Sequence, residues 1–313
     1  MLAIKDDLRG RSFISIHDFS CQEIEYMLEV AAGLKQMQKK HQPTPYLTGK
    51  TLGMIFQKSS TRTRVAFEVG MYQLGGYALF LSPRDIQLGR GETVKDTAQV
   101  LGRMVDGIMI RTFDHEEVLQ LAEWSGIPVI NGLTDLLHPT QVIADLLTIK
   151  EHKGRLKGLK LAYIGDGNNV AHSLLFGGAK TGLDVVIACP DGYAPREDVI
   201  SLAREDARET GAKLSVVRDP VEAVQGADVV YTDVWASMGQ EDEAEEKEKQ
   251  FLAYQVNAQL LSNAKPDAIV LHCLPAKRGK EITDEVIDGP QSAVFDEAEN
   301  RLHAHKAIMA LLM

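Results

Sequence analysis

Apolar and polar residues follow two different periods along this chain. Compact apolar runs, short enough for buried strands, occur at 51–56, 77–81, 107–111 and 128–131, and again at 159–165, 184–188, 213–217, 228–231 and 268–272. Between them lie stretches whose apolar residues recur every three or four positions, the spacing of a helix with one buried face. Helices are expected at about 20–38, 65–74, 93–104, 141–150, 170–181 and 297–312. The first opens on Ser20-Cys21-Gln22-Glu23, a capping box that satisfies two backbone N–H groups at once.

Strands that alternate with helices imply parallel pairing, because a parallel neighbour is reached only through a crossover. The expected class is therefore α/β, with two domains that are each a mostly parallel sheet flanked by helices. The basic, glycine-containing segment 151–158 marks the boundary, giving domains of 1–150 and 151–296. The last helix, about 297–313, is expected to pack back on the first domain. A chain of 313 residues is long enough for two such cores.

One junction of strand and helix carries unusual chemistry. Between the run 51–56 and the helical pattern from Val65 stand Ser59, Ser60, Thr61, Arg62, Thr63 and Arg64, all hydroxyl or guanidinium side chains. A helix start offers unpaired N–H groups and the positive end of its dipole, which together favour an anion. Arg62 and Arg64 would add forked phosphate recognition. An ordinary Ser/Thr cap with solvated arginines is the alternative, and six such residues in a row weigh against it. Arg111 closes the run 107–111, and His138 follows the run 128–131. In parallel sheets ligands sit outside the carboxyl ends of strands, so these residues are expected to share one pocket.

Composition narrows the partners. A net charge of -10 argues against nonspecific binding to nucleic acid or an anionic membrane. No apolar run approaches the roughly 18–20 residues of a membrane span. The N-terminus lacks the basic-then-apolar order of a secretory signal. Cys21, Cys189 and Cys273 are widely spaced, which suggests a reducing, cytoplasmic setting rather than a disulfide framework. The absence of a C-x-x-C pair speaks against a structural zinc site; no metal and no cofactor are expected. G-D-G-N-N at 165–169 lacks the third glycine of a dinucleotide motif, which disfavours a dinucleotide-dependent oxidoreductase. The acidic run 240–250 reads as a solvated face, here the polar edge of a mobile loop.

Six motifs then fall in order: S-T-R-T-R at 60–64, R-T-F at 111–113, H-P-T-Q at 138–141, G-D-G-N-N at 165–169, D-V-W-A-S-M-G at 233–239 and H-C-L-P at 272–275. Together they resemble the aspartate/ornithine carbamoyltransferase family over nearly the whole chain. The S-M-G loop and H-C-L-P resemble its ornithine-using branch, since aspartate-using members lack that loop and carry an H-P-L-P-type segment. The resemblance implies transfer of the carbamoyl group of carbamoyl phosphate to the δ-amine of L-ornithine, giving L-citrulline and phosphate in arginine metabolism. Ser60, Thr61, Arg62 and Thr63 would hold the phosphate, and Arg111 would bridge phosphate and carbonyl oxygen. His138 would polarise that carbonyl, and Gln141 would meet the carbamoyl NH₂. Gln87 would be donated by a neighbouring subunit of a homotrimer or multiple of trimers, with a solvated loop amide as its alternative. Asp233 and Ser237 would take the ammonium group of ornithine, and Asn169, possibly with Asn168, and the Met238 N–H would take its carboxylate. Cys273 and the Leu274 carbonyl would orient the δ-amine, with inert core as the alternative for the thiol. Arg301 would reach the carbamoyl group, a surface ion pair with Glu297 or Glu299 being its alternative. His272 reads as structural.

Other outcomes remain open at this level. One is a carbamoyltransferase for putrescine or an acylated ornithine, against which Asp233 and the S-M-G loop speak. Another is a non-catalytic anion-binding subunit, which would have no use for a polarising histidine.

Overall fold

The computed structural model describes residues 2, 4–82, 84, 86–88, 91–236 and 244–313, the side chains of 244–246 excepted. Each apolar run forms a strand: β1 (Thr51–Phe56), β2 (Tyr77–Leu81), β3 (Gly107–Arg111), β4 (Val129–Leu133), β5 (Lys160–Ile164), β6 (Asp184–Ala188), β7 (Leu214–Val217), β8 (Val229–Thr232) and β9 (Ile269–His272). Every pairing among them is parallel. Two sheets result, in the orders β2-β1-β3-β4 and β7-β6-β5-β8-β9.

The chain divides into two compact units, 1–144 with 300–313, and 145–299. It passes from one to the other inside two helices, Pro139–Lys153 and Val294–Leu312. In the first unit β3 and β4 are buried at every residue, which is why they read as unbroken apolar runs. Ile55, Ile108, Ile110, Val118, Leu121 and Val129 make a core beside them. The strand β2 lies at the sheet edge and leaves Tyr77 and Leu79 exposed. In the second unit Ile164, Val230, Trp235, Phe251, Val270 and Val294 share one core.

Strand order decides where ligands can go. In the first sheet the winding reverses between β1 and β3, and in the second between β5 and β8. At such a reversal the following loops part and leave a crevice at the strands' carboxyl ends. The turn carrying Ser60–Arg64 follows β1, and Arg111 ends β3, paired with Phe56 in the register. In the second unit the G-D-G-N-N turn follows β5, and Asp233 follows β8. Both motif sets therefore lie at the switch point of their own sheet.

Two further helices, His115–Ser125 and Glu197–Thr210, cross over between strands. Both end on a left-handed glycine, Gly126 and Gly211, where any Cβ would be strained. Residues 240–243 of the acidic run lie outside the described residues, and the rest departs from its reading as a loop edge. From Ala244 to Phe251 it is a helix, with Phe251 fully buried against Tyr193, Trp235 and Tyr254. Charge composition hid this, because Lys247 and Phe251 are buried while Lys249 and Gln250 face solvent.

Candidate active site

In the first unit the helix begins earlier than its apolar pattern, at Thr61. The reason is local: Ser60 is extended and its hydroxyl accepts the Thr63 N–H at 3.2 Å, so the polar residues form the first turn. The N–H groups of Thr61 and Arg62 precede any acceptor within the helix, and they point as an anion site requires. The Ser60 and Thr63 hydroxyls lie 3.0 Å apart, and an Nη2–H of Arg301 donates to the Thr63 hydroxyl at 2.6 Å. Thr61 is exposed and Arg62 half-buried, while Arg301 is only 2 % exposed. That burial rules out the surface ion pair offered as its alternative role.

Arg111 and His138 are buried too. The Arg111 carbonyl accepts the N–H groups of Gln57 and Lys58 at 2.9 and 3.3 Å, which ties the ends of β1 and β3 together. Burial holds the His138 pKa well below the ordinary imidazole value, and the positive charges of Arg301, Arg111 and Arg62 press it the same way. His138 is thus a neutral imidazole among cations. Gln141 is fully buried, one helical turn further on.

Arg64 leaves this group. Its Nε–H donates to Glu68 at 3.0 Å, and its guanidinium stacks 3.7 Å from the centre of the Phe80 ring. A residue two positions after Arg62 faces another side of a helix, so both cannot serve one ligand. Gln87 is exposed, beside a cavity of about 200 Å³ shared with Leu81, Ile86, Glu92 and Thr97.

In the second unit Asp233 is the centre. Its Oδ1 accepts the Val234 N–H at 2.8 Å and the Cys273 thiol at 3.0 Å, and its Oδ2 accepts the Asn168 amide at 2.9 Å. Burial and the Asp233 carboxylate push the Cys273 thiol well above its ordinary pKa, so the sulfur keeps its proton at neutral pH. Asn169 opens the helix Asn169–Thr181 and is buried. Asn168 caps that helix and directs its amide to Asp233, a different task from the carboxylate contact first considered for it. Leu274 has φ 57, in the left-handed region, and its N–H donates to His272 Nδ1 at 2.9 Å. Ser237 and Met238 lie outside the described residues.

Residues 11–151 match the family model described as aspartate/ornithine carbamoyltransferase, carbamoyl-P binding domain, and residues 157–312 match its Asp/Orn binding domain. The chain is 62% identical to the ornithine carbamoyltransferase of Carboxydothermus hydrogenoformans, over 97% of this chain and 98% of that one. The chain belongs to the aspartate/ornithine carbamoyltransferase family. It is also 58% identical to the ornithine carbamoyltransferase of Thermococcus kodakarensis, over 98% of this chain and 97% of that one. Among solved structures, the ornithine carbamoyltransferase of Pyrococcus furiosus superposes with a TM-score of 0.96 at 55% identity, covering 100% of this chain and 99% of that one.

One cluster in this carbamoyltransferase chain invites a metal: ligand atoms of Asp233, His272 and Cys273 lie within 4.8 Å of one another. Their chemistry does not fit an ion well. His272 Nδ1 is taken by the Leu274 N–H, so its Nε2 carries the proton and donates to Glu281 at 3.0 Å. The protonated thiol is a poor ligand as well.

Family membership also does not mark the residues that support the site. Lys58 is buried against the Phe113 ring and pairs with Asp135. Lys247 pairs with Asp166 at 2.9 Å, joining the helix Ala244–Phe251 to the G-D-G-N-N turn. His305 stacks on Phe67 with ring centres 4.2 Å apart. None of these had a signal of its own: Lys247 sits in an acidic run, and His305 in a polar helix pattern.

Proposed function

We propose that this chain is an enzyme that transfers the carbamoyl group of carbamoyl phosphate to the δ-amine of L-ornithine, forming L-citrulline and phosphate. The observation that carries this reading is the neutral His138 surrounded by Arg62, Arg111 and Arg301. Plain anion binding would use the guanidiniums alone. A neutral imidazole adds an N–H donor for a carbonyl oxygen without giving up a proton.

In this reading the dianionic phosphate sits on the first turn at Ser60, Thr61, Arg62 and Thr63, and leaves from there. Arg111, His138, Gln141 and Arg301 bind the carbamoyl group. As the amine adds, charge builds on the carbonyl oxygen, and one fixed donor there is worth about 10²–10³ in rate. The δ-amine resembles a lysine amine, with a pKa of about 10.4, so it must first lose a proton. Water takes that proton; the one the nitrogen sheds after bonding to the carbonyl carbon passes to the departing phosphate as the C–O bond breaks. Asp233 receives the α-ammonium of ornithine with Ser237, and Asn169 and the Met238 N–H receive the carboxylate. The Cys273 thiol and the Leu274 carbonyl orient the amine. The names of the Carboxydothermus hydrogenoformans and Thermococcus kodakarensis relatives favour ornithine over other amines.

Assembly as a homotrimer, with Gln87 serving a neighbouring copy, agrees with the exposed apolar residues of the first unit. Tyr77 and Leu79 lie on the edge strand β2, and Val65 and Tyr72 on the helix before it. A cytoplasmic location agrees with three cysteines that form no disulfide, and no described helix is long and apolar enough to cross a membrane. Citrulline formation from carbamoyl phosphate, measured with ornithine, putrescine, aspartate and N-acetylornithine, tests the assignment. Turnover is expected with ornithine; turnover with another amine and none with ornithine would overturn it. Sedimentation at working concentration should give a trimeric mass.

A further inference from the structure

We propose that Asn168 is a positioning residue that aims the Asp233 carboxylate at the ammonium group of the amine substrate. This rests on the ornithine reading given above. Three donors converge on Asn168 Oδ1: the Val170 N–H at 2.9 Å, the Ala171 N–H at 3.2 Å and the Tyr163 hydroxyl at 3.2 Å. Oxygen rather than nitrogen must occupy that place, because all three partners donate. The amide NH₂ is thereby turned the opposite way, to Asp233 Oδ2 at 2.9 Å.

Each part of this relay is held by something rigid. Tyr163 is fully buried in β5 and stacks on Tyr231 of β8, with ring centres 5.8 Å apart. Burial and the nearby carboxylates of Asp233 and Asp166 push its phenol well above the ordinary pKa, so the hydroxyl remains a donor. Thr232, the residue before Asp233, donates its hydroxyl to the Ile164 carbonyl of β5 at 2.7 Å. The relay therefore spans the switch point between β5 and β8, the place where a parallel sheet presents ligand groups. Val234 N–H and Cys273 hold Oδ1, and Asn168 holds Oδ2. A carboxylate fixed on both oxygens presents its remaining lone pairs in one direction. That suits a small directional cation such as an α-ammonium.

Asn168→Ser separates positioning from capping. Serine caps helices as well as asparagine does, yet it cannot reach Asp233 with an N–H. The ornithine KM is expected to rise about tenfold or more, as for a lost hydrogen bond to a charged group. The carbamoyl phosphate KM should stay within about twofold, with kcat changed less than the ornithine KM and the melting temperature little altered. Tyr163→Phe, which loosens the relay one step back, should raise the ornithine KM by less. An unchanged ornithine KM in Asn168→Ser would make Asn168 a cap and nothing more. A parallel rise of both KM values with a large fall in melting temperature would equally overturn the proposal. Failure of the wild-type chain to form citrulline would instead count against the ornithine reading. The orientation of Asp233 in a crystal structure of Asn168→Ser would then decide, an unmoved carboxylate refuting the relay.

Discussion

The two switch points solve opposite electrostatic problems. At β1 and β3, Arg62, Arg111 and Arg301 all act on one neutral imidazole. At β5 and β8 a single carboxylate is clasped by neutral donors: an amide, a thiol and a backbone N–H. Cations gathered around His138 raise one another's energy, and a dianion relieves that repulsion, so the first arrangement discriminates by charge. In the second the Asp166 carboxylate is already paired with Lys247, and Asp233 is the carboxylate held by neutral donors alone. On the proposed function, charge would govern phosphate recognition and geometry amine recognition.

The contrast breaks most sharply at Arg62. Arg62→Ala should lower kcat/KM for carbamoyl phosphate by about 10³-fold, since it removes a forked charged contact to the leaving group. Circular dichroism should be unchanged, because the half-buried Arg62 is no part of either core cluster. Next, Asp233→Asn keeps the shape of the second site and removes its charge. The ornithine KM should rise about 10²-fold while the carbamoyl phosphate KM stays near wild type, measured under saturation with the other substrate. If both constants moved together, the two sites would not be separable in this way.

The crowded cations also predict a pH effect on stability. His138 and His305 have native pKa values well below the ordinary imidazole value, through burial and then the Arg301 charge. The unfolded chain takes up protons near pH 6.5 and the folded one does not, so stability is full above that pH and falls as pH drops below it. The slope approaches about 1.4 kcal/mol per pH unit for each histidine. Melting curves between pH 8 and 5 should show it, and His305→Leu should lose part of the slope. Arg64→Ala should be the mildest change. With its guanidinium on Glu68 and Phe80, it should alter carbamoyl phosphate kinetics by less than about twofold.

Periodicity alone located the strands, because a parallel strand buried on both faces must be apolar without interruption. It was weaker where polar residues fold inward. The helix Val294–Leu312 buries Glu297, Asn300, Arg301, His303, His305 and Lys306, a set that any hydropathy reading assigns to a surface. Lys306 shows how such a group is tolerated: its ammonium donates to Gln38 and Gln73, and burial lowers its pKa to about 8. Ser60, Arg62, Arg111 and His138 were legible because their types and their places after strands pointed to one chemistry. Asn168 and Lys247 were not, since their roles depend on Asp233 and Asp166, which lie 65 and 81 positions away along the chain.

The sequence by itself determined the alternation of strands and helices and the residue types gathered at their junctions, since both follow from local period and local chemistry. Strand order is a different matter. Nothing local says that β1 lies between β2 and β3, or β5 between β6 and β8, because long-range packing and crossover handedness decide it. That order brings Asn168 beside Asp233, and the return of residues 300–313 to the first unit puts Arg301 on Thr63. Tertiary structure therefore gave Thr63 a partner in Arg301 and Asn168 a partner in Asp233.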